Sequence, residues 1–576
     1  MRCDEESDEC VSLDCEGTPD ADGDGFEDTR CGGDDCDDSD PTVFPGATEI
    51  CDAAGRDEDC DSATLAGADG DADGDGAVST ACCNGEVCGD DCDDAARSTF
   101  PGAIESCDGR DEDWDRNPDE TGAAPICPGG VCTAGRCDLQ PWARTFGDVT
   151  NDQVIDAVMD EVGNVYATGT FTRDADFGSS DGSVTSVISD EFDAHTPDIF
   201  ILSYGPDGRY RWVQTIGTQS ATEIPTGIAY DPGASQIYVI GNGLSEFDLG
   251  SGTARGGFIL ALNTSGEAQW DVRRPPAPCF VGYETVESMN GPIVGGTFRG
   301  DCVVAGDELS SASFQGFVAQ YDASGEGLGT YVPGGGGVVR INSIDAHEEF
   351  GFLVGGSFAI EANFGGSVRT PAGRDDAFVL GLDSALRHSW DYIAGGSEID
   401  RVNAVAFSSS GAAVAVGQFF DDADFGMGVV AVERRSSFLV SLSASGGLTR
   451  FRSFGGGSAN GVVFNSVGSL LVAGSFSESV NFGGGLITGS PAGAGFLATY
   501  DSEFNHLEDR VFAYPGFPGL TDCGAPGCGF ATASGAAIGP ADSTVVFGSF
   551  GGGLSLPPSI RASAGGGDGF IYRLEN

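Results

Sequence analysis

Lysine is absent from this chain of 576 residues, so arginine supplies all 27 basic side chains against 90 aspartates and glutamates. A formal charge of −63 argues against a nucleic-acid binder, because a phosphate backbone needs a basic footprint. Anionic membrane surfaces are disfavoured for the same reason. Without lysine, neither a kinase site nor a phosphate-cradling P-loop can be assembled, and the DFG triplets at 176–178 and 424–426 are read as a repeated turn. Histidine is scarce: there are four, none before His195, and no two stand at metal-ligand spacing. No run of eighteen apolar residues is present to span a membrane as a helix. The start, MRCDEESDEC, has no apolar leader core, so no signal peptide is visible, and a truncated or mis-called start is expected ahead of a different compartment. The partners left open are cations, neutral glycans and basic proteins.

What is present is unevenly placed. Residues 1–140 hold 41 acidic and 7 basic residues and 15 of the 19 cysteines. The other cysteines fall in two close pairs, Cys279 with Cys302 and Cys523 with Cys528, each expected to form a local disulfide. This distribution predicts an extracellular or cell-envelope protein: a disulfide-stapled acidic module, 1–140, fused to a self-sufficient domain, 141–576. The module is duplicated. ADGDG at 21–25 returns at 72–76, DDCDD at 34–38 at 90–94, FPGA at 44–47 at 100–103 and GRDED at 55–59 at 109–113. The copies cover about 20–61 and 69–115, and 116–140 is a connector.

The DxDxDG element is the first half of a calcium loop, in which alternate aspartates converge on one ion and a glycine bends the chain around it. Asp20, Asp22 and Asp24 fit positions one, three and five, Phe26 offers its carbonyl, and Asp28 takes the ninth place. Asp71, Asp73 and Asp75 repeat the pattern. The glutamate expected at position twelve is replaced by Cys31 and Cys82. The following acidic runs, Asp34, Asp35, Asp37 and Asp38 in one copy and Asp90, Asp91, Asp93 and Asp94 in the other, are expected to supply the missing oxygens. Such a donor set selects a hard cation, with Ca2+ the expected structural cofactor.

DxDGDG followed by DCDDxDPTxxPGAxEICDxxxDxDCD resembles the MopE-type metal-binding motif of secreted bacterial proteins, well over 20–61 and with departures over 69–115. The resemblance implies metal binding, a family label of copper, and a closing cysteine, Cys60, as the partner of Cys51. In the second copy Trp114 stands where Cys60 closes the first. The acidic runs are also similar to thrombospondin type 3 repeats, where calcium organises an irregular chain.

From Trp142 onward the sequence is glycine-rich, apolar and aromatic, with short strand-like runs and no 3.6-residue period. One repeated element runs into a glycine, at Gly169, Gly241, Gly296, Gly356, Gly417, Gly474 and Gly548. A second follows each, as in DIFILSY (198–204) and DAFVLGL (376–382). A third, as in WVQTIG (212–217), ends in glycine, and its first copy, WARTFG (142–147), precedes any complete repeat. Seven repeats with one strand split off to the front predict an all-β seven-bladed propeller, about 62 residues per blade, closed by the N-terminal strand pairing with DGFIYRLEN. The pattern resembles bacterial propeller repeats of the SBBP kind, which implies a fold and no reaction.

Trp142, Trp212, Trp270 and Trp390 are read as blade-packing residues. A GxSxG match at 178–182 lacks the strand-to-helix elbow of a nucleophile, so no catalytic residue is assigned and the chain is read as a non-enzyme. The insertions at 179–197 and 507–530 are the expected binding rim. The expected function is recognition of an extracellular protein or glycan by a propeller carried on a calcium-ordered module. The alternatives are a propeller enzyme acting on polysaccharide and a copper-binding or uptake protein.

Overall fold

The chain divides into two compact units, Met1–Asp138 and Leu139–Asn576. The computed structural model describes, in the first, residues 2–3, 10–11, 18–48, 50–51, 56–61, 70–73, 76–84, 87–91, 93–96, 99–101, 103, 113, 130–132 and 137–138. In the second it describes 139, 141–147, 151–172, 174–178, 186–188, 197–217, 222–248, 253–273, 279–432, 435–490, 492–513, 529–556, 559–563 and 566–574. Asp75, Trp114, the Cys523–Cys528 pair, most of the GxSxG match and most of the two expected rim insertions lie outside these residues.

The second unit is a seven-bladed β-propeller. Blade 1 consists of Gln153–Met159, Val165–Phe171, Asp198–Tyr204 and Tyr210–Ile216, paired antiparallel in that order from the centre outward. Blades 2 to 6 follow at 223–273, 280–331, 338–396, 401–455 and 457–512. Blade 7 takes Phe530–Ile538, Thr544–Gly551 and Asp568–Arg573 from the end of the chain, and its outer strand, Trp142–Phe146, from before blade 1. Trp142 lies opposite Arg573 and Phe146 opposite Gly569. The expected closure is therefore present, and it leaves Asp568–Arg573 paired on both sides. Among the described residues the only helices are two 3-10 turns, Thr29–Cys31 and Pro540–Asp542.

The first two repeated elements are the two middle strands of each blade, and the third is the outer strand. Pressed between neighbouring blades, the middle strands are apolar on both faces, and Val165–Phe171 and Asp198–Tyr204 are buried throughout. Each anchor glycine lies opposite a phenylalanine of the next strand: Gly169 with Phe200, Gly241 with Phe258, Gly296 with Phe317, Gly356 with Phe378, Gly417 with Phe438, Gly474 with Phe496 and Gly548 with Phe570. The ring lies over the glycine in blades 1 to 6, and the inner strand bulges beside it in every blade, for instance between Ile341 and Ser343. A Cβ on Gly356 would stand 1.9 Å from the Arg340 carbonyl oxygen and 2.9 Å from the Phe378 ring. Side-chain size, not backbone dihedral, demands glycine here.

The tryptophans pack blade on blade, as expected. Trp142, Trp212 and Trp270 donate their indole N–H to Pro206, Thr264 and Ala323 carbonyls at 3.0, 3.0 and 2.8 Å, in the turn of the following blade. Each lies against a turn glycine with positive φ, Gly208, Gly266 and Gly325, as Trp390 does against Gly446. Cys279 and Cys302 form the expected disulfide in blade 3.

Gly356→Ala and Gly417→Ala are each expected to destabilise the propeller by about 3 kcal/mol or more through forced overpacking. Chemical denaturation of the full chain checks this, with Gly306→Ala, where a Cβ meets nothing within 4 Å, reporting the cost of the positive φ alone.

Candidate metal centre and central channel

In the first copy of the acidic module, the turn at 20–25 and the run at 34–38 are brought together by backbone pairing. Asp28 and Asp35 form a parallel bridge, the Asp35 N–H donates to the Glu27 carbonyl at 3.1 Å and the Thr29 N–H to the Asp35 carbonyl at 3.0 Å. The Asp38 carboxylate accepts from the Ala21 N–H at 2.7 Å. Gly33 allows this crossing, since a Cβ there would lie 1.8 Å from the Glu27 carbonyl oxygen.

The pairing gathers five carboxylates. Oxygens of Asp20, Asp22 and Asp24 lie within 4.8 Å of one another, and so do oxygens of Asp22, Asp35 and Asp38. Asp35 is fully buried, and one oxygen each of Asp22, Asp24 and Asp35 is enclosed without a hydrogen-bond partner. Lost hydration, and then repulsion from neighbouring aspartates, holds the Asp22 and Asp35 carboxyls above their ordinary range. Enclosed, mutually repelling oxygens with no donor form a cradle for a cation. The donors are all carboxylate, which fits a hard divalent ion held by Asp20, Asp22, Asp24, Asp35 and Asp38.

Other expected ligands are turned elsewhere. Asp28 does not take the ninth place: it caps the 3-10 turn by accepting from the Arg30 N–H at 2.7 Å, and its other oxygen binds the Arg30 guanidinium. Asp34, beside the buried Asp35, is exposed to solvent. Asp37 accepts from Ser39 at 2.6 Å and from Arg56 at 3.2 Å. The Phe26 ring stacks on Phe44 with centroids 5.3 Å apart, a contact that does not engage the carbonyl expected as its ligand atom. Asp40, beyond the expected set, is lowered to about 2 by the Thr42 hydroxyl and Arg56.

The second copy repeats the arrangement over the residues described. Ser79 bridges Asp91, Ala72 N–H donates to Asp94 at 2.6 Å, and Gly89 sits 2.1 Å, measured from a built Cβ, from the Val78 carbonyl oxygen. Asp91 is fully buried and Asp90 exposed, like Asp35 and Asp34. Asp71 accepts from the Gly76 N–H at 3.1 Å, Asp73 is half-buried and Asp93 exposed.

The disulfides correct the expected Cys51–Cys60 pairing. Cys60 bonds Cys36, and Cys51 reaches Cys82 of the second copy. Segment 56–60 folds back over 36–46, with Arg56 on Asp37 and Asp40, and the Phe44 N–H on the Glu58 carbonyl at 2.9 Å. That carries Cys60 to Cys36. Cys31 is disulfide-bonded too, so both position-twelve cysteines are staples rather than ligands. The close group of Asp35, Cys36 and Cys60 is therefore no thiolate site.

The propeller's axis holds a cavity of about 820 Å³ lined by the innermost strands. The repeated elements omit these strands, so the channel's character was hidden in the sequence. Bulge residues join neighbouring blades: Thr226, Asn342, Asn403, Asn460 and Ser534 donate to carbonyls of Tyr283, Val402, Ala459, Ala533 and Val154 at 2.7–3.2 Å. Ile155 and Glu284 hold that place in blades 1 and 3. One side of the lining is acidic, with Asp156, Asp160, Glu161, Glu284 and Glu287 beside Tyr230, and the lining includes no arginine or histidine. Lost hydration raises Asp156 to about 6. It also raises Glu287, which Asp345 and Asp156 repel further, and Asp345.

The chain is thus a β-propeller protein preceded by a duplicated acidic, disulfide-bonded module. Residues 35–64 and 91–120 match the MopE-type family described as a "Putative metal-binding motif", so two tandem copies of that motif are present. No curated protein matches the chain. Among solved structures it is similar to the Dos1 propeller, with TM-score 0.39, 10% identity, and 75% of this chain and 95% of that one covered. A chain of a mitotic checkpoint complex gives 0.37, 9%, 77% and 96%. The periplasmic gluconolactonase of Pseudomonas aeruginosa gives 0.32, 12%, 66% and 95%.

Asp35→Asn is expected to weaken calcium binding at the first copy at least about tenfold, and Asp34→Asn to leave it within about twofold; calorimetric titration of the full chain separates the two. In the channel, carboxyls raised on folding keep more protons in the folded than in the unfolded state. Propeller stability therefore falls as pH rises from the ordinary carboxylate range through pH 6 and above. Glu287→Gln is expected to flatten that slope in denaturation midpoints measured across pH.

Proposed function

We propose that the protein is an extracellular or cell-envelope, non-catalytic recognition protein, in which calcium orders the acidic module and the propeller binds a protein or glycan. The observation that carries the metal assignment is Asp35, fully buried with one oxygen lacking any hydrogen-bond partner, inside a group of carboxylates. Calcium is preferred over the copper in the family's label. The gathered donors are hard oxygens, Cys36, Cys51, Cys60 and Cys82 are in disulfides, and no histidine precedes His195. The same disulfides favour an oxidising compartment. No helix of the described residues is long and apolar enough to cross a membrane.

For the propeller, the acidic channel wall favours a cationic group of the partner, such as an arginine or lysine side chain of a basic protein segment, over a neutral glycan. The carboxylates and Tyr230 around the axis also keep a second reading open, acid–base chemistry on a polysaccharide, which needs two such groups flanking one bond.

Limited proteolysis of the full chain under oxidising conditions tests the calcium assignment. Segment 18–103 is expected to resist cleavage in millimolar calcium and to be cut after chelation, with copper giving no protection. Equal cleavage in both states would remove calcium from the reading.

A further inference from the structure

The seven blades differ in one respect that the repeat pattern hides. Two residues before the anchoring phenylalanine, blades 1, 4 and 7 carry Asp198, Asp376 and Asp568, and the other blades carry Gly256, Gln315, Ser436 and Ala494. Two residues before the bulge of the first strand, the blades that follow those three carry Glu223, Asp400 and Asp152. The remaining blades have Val281, Val339, Gly457 and Ala531 there. An acid on one side of a seam is thus matched by an acid on the other, at three seams, and neither appears at the other four. Packing alone gives no reason to match like charges across a seam.

The seam between blades 4 and 5 shows the arrangement in full. Asp376 and Asp400 are 4% and 1% exposed. The backbone of blade 5 is laid against blade 4 by the Asp375–Ile399 bridge and by the Asp400 N–H on the Asp375 carbonyl at 2.8 Å. Both carboxylates then meet the same pair of glycines. Asp400 accepts from the Gly396 N–H at 2.7 Å, and an oxygen of Asp376 lies 2.5 Å from where a Gly395 Cβ would be. That oxygen of Asp376 is enclosed and has no hydrogen-bond partner; the other accepts from the Ala372 N–H at 2.9 Å. Among the described residues no basic side chain pairs with either carboxylate: Arg374 turns to Glu398 at 3.7 Å and Arg340 to Asp375 at 2.9 Å. Burial and the neighbouring Asp376 and Glu398 raise the Asp400 carboxyl. At the seam of blades 7 and 1 the same juxtaposition is explicit, with oxygens of Asp152 and Asp568 each 2.8 Å from a Cβ built on Gly147.

We propose that Asp376 and Asp400 hold a hard cation of the calcium type between blades 4 and 5. Two buried carboxylates with no positive partner are costly. A cation bridging them joins consecutive blades where the hydrogen bonds around the axis do not reach. This site is separate from the acidic module and does not depend on its metal.

Hydrogen exchange of the full chain, chelated and then saturated with calcium alone, tests the proposal in the wild type. The Ala372, Gly396 and Phe420 amides, which donate to the two carboxylates, are expected to slow about tenfold with calcium. Asp376→Asn with Asp400→Asn is expected to abolish that slowing and to lower the number of calcium ions retained on dialysis, while peptides at 18–48 respond as before. Unchanged exchange at these three amides in the wild type overturns the proposal, whatever the acidic module does, and leaves the pair as carboxyls sharing a proton. Slowing that persists in the double variant also overturns it.

Discussion

The propeller rests on one contact made from blade to blade: a phenylalanine ring of the third strand laid across a glycine of the second, beside a bulge of the first. The ring fills the space a side chain would take, and the absent Cβ lets the inner strand's carbonyl approach. Middle strands packed this way are apolar on both faces, so each blade finds its core only against its neighbours. The ring is then the smallest unit in which every middle strand is covered. Outer-strand tryptophans repeat the logic at the rim, each placing an indole on the turn of the next blade.

The chain's second constraint is charge. With 27 arginines facing 90 carboxylates, most acids cannot find a basic partner, and the fold distributes the shortage unevenly. Arg30 and Arg56 take Asp28, Asp37 and Asp40 in the acidic module, leaving Asp22, Asp24 and Asp35 to face one another. The channel wall and the seam between blades 4 and 5 show the same condition inside the propeller. In each place carboxylates are held close by backbone hydrogen bonds rather than by arginines.

Blade number, closure and the role of the tryptophans were readable from the sequence, because a repeated glycine or aromatic marks one steric event each time it occurs. The union of DxDxDG with the later acidic run was readable as well, since a loop lacking its last ligand needs oxygen from elsewhere. Which aspartates turn inward was not. Asp34 and Asp35 differ only in the face that the Asp28 bridge gives them, and Asp28 itself went to a nearby arginine. Disulfide partners depend on how 56–60 folds back, a matter of shape rather than spacing. The inner strands escaped notice because a bulge breaks their alternation and no shared residue marks them. The seam acids are distant in sequence and belong to different blades, so only the pairing of strands reveals them as neighbours.

The position of Trp142–Phe146 has a consequence for how the two units can be parted. The strand that seals the ring is the first that the chain enters on leaving the acidic module. A protease cutting before Trp142 would shed the module and leave the seal in place. A cut a few residues later, beyond Phe146, would leave that strand held only by its pairing with Gly569–Arg573 and by its packing. The same five residues mark where the module ends and where the ring is locked, so shedding and opening are separated by the length of one short strand.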